Sequence, residues 1–315
     1  MQVIETIAAM REARRQLPGP VGFFPTLGFL HEGHLTLVRR ARDENASVVV
    51  SIFVNPTQFG PNEDFKSYPR DTARDLAMLE PFTDIVFMPS PEEMYPAGYA
   101  TWVDVEGITG HLEGAARPGH FRGVATVCAK LFNIVQPARA YFAKKDAQQL
   151  LVIQKMVAEL DMPLEIIACE TVREADGLAM SSRNSYLNPA ERRAAAVLYR
   201  ALTLARERWG AGEASAGKIR REMTVLVRGE PLAKIDYISI ADAATLEEMS
   251  GQAQAPVLVS MAVWIPCVRH PRSTAAANST CRVTSPPVRV TPPPEWRKKG
   301  SIRTALEMIS PAVMG

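Results

Sequence analysis

The sequence predicts an α/β chain built on a doubly wound parallel sheet, followed by a smaller α+β unit. Three observations carry this expectation. Strand-like and helix-like patterns alternate from the N-terminus to about Ala168, as successive βαβ units require. The run Ser47-Val48-Val49-Val50-Ser51-Ile52-Phe53-Val54 is almost continuously apolar and β-branched, as in a parallel strand covered on both faces. After Asn188 the pattern changes to two helices and then two strand-like runs.

In chain order, the segment Met1 to Leu17 is amphipathic, with Arg11, Arg14 and Arg15 on a face expected to be solvated. It lacks the long apolar core of a signal peptide, and no later stretch approaches membrane-spanning length. Val21-Gly22-Phe23-Phe24 reads as a short buried strand, and His34 to Asn45 places Leu35, Leu37, Val38 and Ala41 at helical spacing. The β-branched run follows, and Ala140-Tyr141-Phe142 is again strand-like. Asn188 caps a long helix, Pro189 to Trp209, with Pro189 at its first position and Glu191 at its third. A second helix is expected near Ser215 to Val227, then strands at Lys234 to Ile240 and Pro256 to Val263.

The chemistry concentrates in Pro25 to His34, PTLGFLHEGH, where a strand gives way to a helix. The first turn of a helix has unpaired N–H groups and a partial positive charge that favour anions. Gly28 and Gly33 let the backbone approach a ligand, and His31 and His34 can donate hydrogen bonds to charge that grows on phosphates. A zinc helix would want its histidines four apart with a third ligand nearby; these are three apart and have none. The β-branched strand ends in Asn55-Pro56-Thr57-Gln58, which puts two amides on the same rim of an open sheet. Gly212 to Lys218 formally satisfies the start of a phosphate loop, but Ile219 stands where Ser or Thr would hold magnesium, and a helix precedes it. It reads as a helix-helix connection.

The pattern T-x-G-x-L-H-x-G-H resembles the signature of the HIGH-motif nucleotidyltransferases. AKKDAQQL at Ala143 to Leu150 and GLAMSSRN at Gly177 to Asn184 are similar to motifs of the pantothenate synthetase (pantoate:β-alanine ligase) family. SIFVNPTQF, YPRD at Tyr68, LEGAARPGHFRGV at Leu112 and VREADGL at Val172 extend the resemblance over roughly residues 1 to 262. It implies a Rossmann-like doubly wound parallel sheet with a second, smaller α+β lid domain. The implied division is 1–170 for the nucleotide-binding catalytic domain and 171–265 for the lid.

The resemblance also implies an activity. Pantoate is adenylated by ATP, with magnesium, and the pantoyl adenylate is captured by β-alanine, releasing AMP and pyrophosphate. By the same likeness Leu27, Gly28, Phe29, Leu30, His31, Glu32, Gly33 and His34 line the ATP site, with His34 as proton donor and His31 on the phosphates. Lys145 reaches the α-phosphate, and Ser181, Ser182 and Arg183 reach pyrophosphate. Ala143, Lys144, Asp146, Val172 and Met180 complete the nucleotide site. Gln58, Gln149 and Asn55 bind pantoate, Glu113 and Arg117 match other pocket positions, and Asp75 matches an acidic position near the metal. The family is typically a cytoplasmic homodimer.

Several positions depart from the family pattern: Leu27 replaces Met, Phe29 a smaller residue, Ala143 a Gly, Lys144 a Glu and Ala147 an aromatic. Phe29 and Lys144 are the two that would crowd a nucleotide. Activity is expected to survive, because the polar residues named above are present. Two rivals share the histidine motif: a nucleotidyltransferase with a phosphorylated acceptor, and a nucleotide-binding protein without catalysis.

The 315 residues carry a net charge of +2, so neither nucleic acid nor membrane is an expected partner. The four cysteines Cys128, Cys169, Cys267 and Cys281 are far apart without metal spacing, which suggests reduced thiols in the cytosol. Residues 266–315 differ in kind, with eight prolines, eight Lys or Arg and two acids. An out-of-frame end and a basic arm both fit this composition. The expectation is a disordered tail whose removal leaves turnover unchanged.

Overall fold

The computed structural model describes residues 1–61, 63–253, 256–266 and 280–290. The first part of the chain runs β1 (Gln2–Ile4), α1 (Ile7–Gln16), β2 (Val21–Thr26), α2 (Glu32–Glu44), β3 (Ser47–Ile52), α3 (Thr72–Leu79) and β4 (Ile85–Phe87). It continues through α4 (Pro91–Met94), α5 (Leu112–Ala116), α6 (His120–Val135), β5 (Arg139–Ala143), α7 (Ala147–Glu159) and β6 (Glu165–Cys169). The six strands form one sheet in the order β1-β4-β3-β2-β5-β6, and every pairing is parallel.

Alternate residues of the inner strands feed two separate cores, which is why those strands read as apolar runs. Phe23, Val49, Ile85 and Phe87 face one way, against Met10 of α1, Phe132 of α6 and Ile153 of α7. Phe24, Val48, Val50 and Val86 face the other way, against Leu35 and Val38 of α2 and Leu79 of α3. Arg14, expected to be solvated, instead donates to the carbonyls of Val135 and Gln136, tying α1 to the end of α6.

The rest comprises α8 (Pro189–Ala195), α9 (Val197–Gly210), α10 (Ala216–Arg228), β7 (Lys234–Asp242), β8 (Val257–Pro266) and β9 (Thr280–Val290). The long helix expected from Pro189 is two pieces that meet at Ala196; its start is as expected, with a reciprocal capping box between Asn188 and Glu191. The three strands form an antiparallel sheet in the order β7-β8-β9, whose inner face packs on Leu198, Leu202 and Trp209 of α9 and on Ile219 and Met223 of α10. The Gly212 to Lys218 segment does join two helices.

Strand β9 corrects the expectation that order ends at residue 266. Val283 is 8% exposed, and Val288 and Val290 pack on the same core as β8. Averaged over fifty residues, the composition hid an eleven-residue strand with apolar positions on one face. Its prolines are placed where a strand tolerates them. Register jumps from the Val259–Val288 pair to Met261–Ser285, so Pro286 and Pro287 together oppose Ser260 in a bulge on an edge strand. Residues 267–279 and 291–315 of the expected tail lie outside the described residues.

Candidate functional site

The chain leaves β2 toward β3 and leaves β5 toward β6, on opposite sides, yet β2 and β5 are neighbours. At such a switch point the loops diverge and the carboxyl ends of the strands open a crevice. The loop after β2 is the histidine motif, and the turn after β5 is Lys144–Asp146. A cavity of about 380 Å³ lies there. Of the residues expected at the site, Leu27, His31, Gly33, His34, Asn55, Gln58, Ala143, Lys145, Asp146, Gln149, Val172, Met180, Ser181, Ser182 and Arg183 line it. The small sheet closes the far wall with Tyr237, Ser260, Trp264 and Arg282.

Gly28, Phe29, Leu30 and Glu32, also expected at the nucleotide site, do not line the cavity. Leu30 is 1% exposed in the core beneath α2, and Glu32 points outward to Arg39. Phe29 adopts φ 53°, and its ring lies against the Arg74 guanidinium, 5.5 Å away, so it does not crowd the cleft. This left-handed turn is held from both sides. Asp75 accepts the N–H groups of Phe29 and Leu30 at 2.7 Å each, and the Phe29 carbonyl accepts the Ser182 hydroxyl at 3.0 Å.

Asp75 is therefore a buried acceptor that holds this turn, and it does not line the cavity. Burial pushes its carboxyl above the usual range, and the two N–H donors pull it back. Asp75→Ala strands both buried donors and is expected to cost about 2–5 kcal/mol of stability, whereas Asp75→Asn keeps one acceptor and costs less. Urea unfolding of the two variants checks this ordering. The magnesium concentration for half-maximal activity is expected to stay unchanged in Asp75→Asn.

The two histidine rings stack, with centroids 3.9 Å apart and planes 25° apart. A Cβ on Gly33 would come within 2.9 Å of the His31 ring, so glycine here makes room for imidazole rather than for phosphate. His34 Nδ1 accepts the His31 backbone N–H at 3.3 Å, which leaves the ring proton of neutral His34 on Nε2. Burial, helped by neighbouring Lys145, holds His31 at about 4, and burial with His31 beside it holds His34 well below its ordinary value. Both rings are neutral donors at pH 7.

The amide rim is set by a chain of contacts behind it. Asn55, 1% exposed, donates to Gln58 Oε1 at 3.1 Å and to the Gly123 carbonyl at 3.2 Å, while its own oxygen accepts from Tyr95 and Thr57. Asn55 thus spends its amide on positioning Gln58 and leaves the Gln58 NH2 group to face a ligand. A Cβ on Gly123 would meet the Thr57 carbonyl oxygen at 2.3 Å, so α6 can approach this rim only with glycine there. His120 Nδ1 donates to the Gln58 carbonyl at 2.8 Å, because its Nε2 must accept from Arg117 at 3.1 Å.

His120 is 8% exposed, and burial lowers it to about 4 from 6.5. A histidine with its folded value below its unfolded one adds stability at neutral pH that is lost as pH falls through this window. For His120 the loss is on the order of 3 kcal/mol. We expect the urea midpoint to drop between pH 7 and pH 4.5, and His120→Gln to make that slope shallower, with His31 and His34 keeping their share of it.

Among the cations, Lys144, also expected at the nucleotide site, turns to Glu170 and does not line the cavity. Arg183 makes a bidentate pair with Asp64 at 2.8 and 2.9 Å, and Arg117 pairs with Glu63. Among the described residues Lys145 pairs only with Asp146, at 3.3 Å. It is the least compensated of these three lining cations.

A cleft at the switch point, with neutral imidazoles, one loosely paired lysine and two amides on its rim, is the setting for comparison with known proteins. The family described as pantoate-beta-alanine ligase matches residues 2–270. The chain belongs to the pantoate-beta-alanine ligase family. It is 60% identical over 266 residues to the pantothenate synthetase of Herpetosiphon aurantiacus, covering 84% of this chain and 96% of that one. The Roseiflexus castenholzii pantothenate synthetase is 58% identical over 270 residues, covering 85% and 97%. The crystal structure of Thermus thermophilus pantothenate synthetase aligns with a TM-score of 0.79 and 48% identity, over 90% of this chain and 98% of that chain. A Francisella tularensis pantoate-beta-alanine ligase, complexed with β-γ ATP and β-alanine, aligns with a TM-score of 0.70 and 29% identity, over 90% and 96%. Like its relatives, this pantoate-beta-alanine ligase is an enzyme that joins pantoate to β-alanine.

Sequence reasoning missed the ligase's Glu63, Asp64, His120, Tyr186, Tyr237 and Arg282, all of which line the cleft. His120 stood inside a motif already noted. Asp64 and Arg282 had no local signal, because their arginine and carboxylate partners come from distant parts of the chain.

Proposed function

We propose that this cleft converts pantoate, ATP and β-alanine to pantothenate through a pantoyl adenylate, with the residue roles that follow. The pantoate carboxylate attacks the α-phosphorus and pyrophosphate leaves; the β-alanine amine then attacks the acyl carbon and AMP leaves with the former carboxylate oxygen. A free carboxylate is a poor acylating agent, so the first step creates the leaving group and gathers negative charge that the site must offset. The observation that carries this reading is the convergence of His31, His34, Lys145, Gln58 and Gln149 on one cavity.

Lys145 meets the α-phosphate, because its loose contact with Asp146 leaves its charge available. His34 donates from Nε2 as a neutral imidazole, which stabilises phosphate charge without requiring an imidazolium. Gln58 and Gln149 hold the hydroxyls and carboxylate of pantoate. Arg183 takes the pyrophosphate in exchange for the Asp64 carboxylate, a like-for-like swap of bidentate partners.

Magnesium enters as part of the nucleotide substrate, held by phosphate oxygens and water. Among the described residues no group of three or more His, Cys, Asp or Glu is arranged for a resident ion, and Asp75 is already spent. A homodimer and a cytoplasmic location follow the family. Among the described residues no helix is long and apolar enough to cross a membrane, and Cys128 and Cys169 are unpaired and buried.

The test is isotope exchange of labelled pyrophosphate into ATP. Exchange that requires pantoate and not β-alanine, with AMP released when β-alanine is added, supports the adenylate. Exchange that requires a phosphorylated acceptor, or ATP binding without exchange, refutes it.

A further inference from the structure

The family match ends at residue 270, yet the cleft has a wall residue beyond it. Arg282 on β9 reaches Glu113 at the start of α5 and Asp236 on β7. Its side chain is 13% exposed, and those of its two partners are 19% and 24%. Tyr237 donates its hydroxyl to the other oxygen of Glu113 at 2.7 Å. The guanidinium also lies 5.7 Å from the Tyr237 ring and 6.0 Å from the Trp264 ring.

Glu113 belongs to the large-sheet part of the chain and the other four residues to the small sheet, so this cluster spans the two walls of the cleft. Glu113 is itself fixed from behind, since its N–H donates to Gln148 Oε1 at 2.9 Å, one residue before Gln149. Strand β9 also packs on the Lys144–Asp146 and Ser182–Tyr186 turns, which carry Lys145 and Arg183.

An acyl adenylate must be kept from water until the amine arrives. We infer that Arg282 is a positioning residue for the second step: with Tyr237 it clasps Glu113 across the cleft and holds the small sheet over the adenylate. Two protein carboxylates take hydrogen bonds from Nε and Nη1, while the buried Nη2 has no hydrogen-bond partner among the described residues, so the test below also reads a direct role on the β-alanine carboxylate. The inference rests on the adenylate reading above.

The test compares full-length wild type with Arg282→Ala, Arg282→Lys, Glu113→Gln and Tyr237→Phe. AMP release with ATP and pantoate alone is set against pantothenate formed when β-alanine is present. Arg282→Ala and Glu113→Gln are each expected to raise AMP release without β-alanine on the order of 10-fold, the scale of losing one charge-assisted contact. Pantoate-dependent pyrophosphate exchange should persist in both, and Arg282→Lys, which keeps the charge but not the fork, should restore coupling in part. If Arg282→Ala does not fold, Glu113→Gln and Tyr237→Phe probe the same contact from its other side.

Coupling unchanged in folded Arg282→Ala and Glu113→Gln overturns the inference. So does a raised KM for β-alanine with coupling intact, which would assign Arg282 to the substrate instead. Absence of pantoate-dependent exchange in wild type would sink the adenylate reading itself, separately from the clasp.

Discussion

Lys145→Ala is expected to lower pantothenate formation by about 100-fold or more while leaving the melting temperature within a few degrees of wild type, the scale for removing one positioned donor from charge that develops in a reaction. The physical reason is that the other lining arginines are already engaged by carboxylates: Asp64 on Arg183, Glu63 on Arg117, and Glu113 with Asp236 on Arg282. Among the described residues Lys145 holds only a contact of 3.3 Å to a half-exposed aspartate. His34→Ala is expected to act on the same step and to a similar extent, and pyrophosphate exchange should fall in parallel with overall turnover. Near-normal exchange in both variants would remove these residues from the adenylation step.

Ending the chain at residue 279 should abolish most soluble, active protein, whereas ending it at Val290 should preserve both. The first truncation removes β9, uncovers the whole edge of β8 and withdraws Val283 from the core of the small sheet. It also removes Arg282. The second keeps every described contact of β9. Soluble yield, urea midpoint and turnover of the two truncations decide the matter, and equal behaviour would show that β9 contributes nothing to stability. This expectation replaces the one drawn from composition, under which the entire 266–315 segment was dispensable.

What could be read from sequence divides along a physical line. The parallel sheet was legible because strands buried on both faces must be apolar at every position, as in Ser47–Ile52. The cleft was legible because glycines and histidines at a strand-to-helix turn have few structural reasons to occur together. The direction in which individual side chains of that turn point was not legible. Phe29, Leu30 and Glu32 lie among lining residues in sequence yet face solvent or core, since Asp75 pulls the turn backward with two hydrogen bonds. The same holds at Lys144 and Lys145, adjacent in sequence and opposite in direction. Strand β9 escaped because its pairing partner is fourteen or more positions away and its prolines argue locally against a strand; only the bulge opposite Ser260 makes them acceptable.

The Ser182 hydroxyl bound to the Phe29 carbonyl joins two segments separated by 153 positions. A ribosome making this polypeptide joins the residues of all six sheet strands before it adds Ser182. The contact that braces the pocket thus depends on residues made after the scaffold's own, and affinity for nucleotide should arise only late in synthesis.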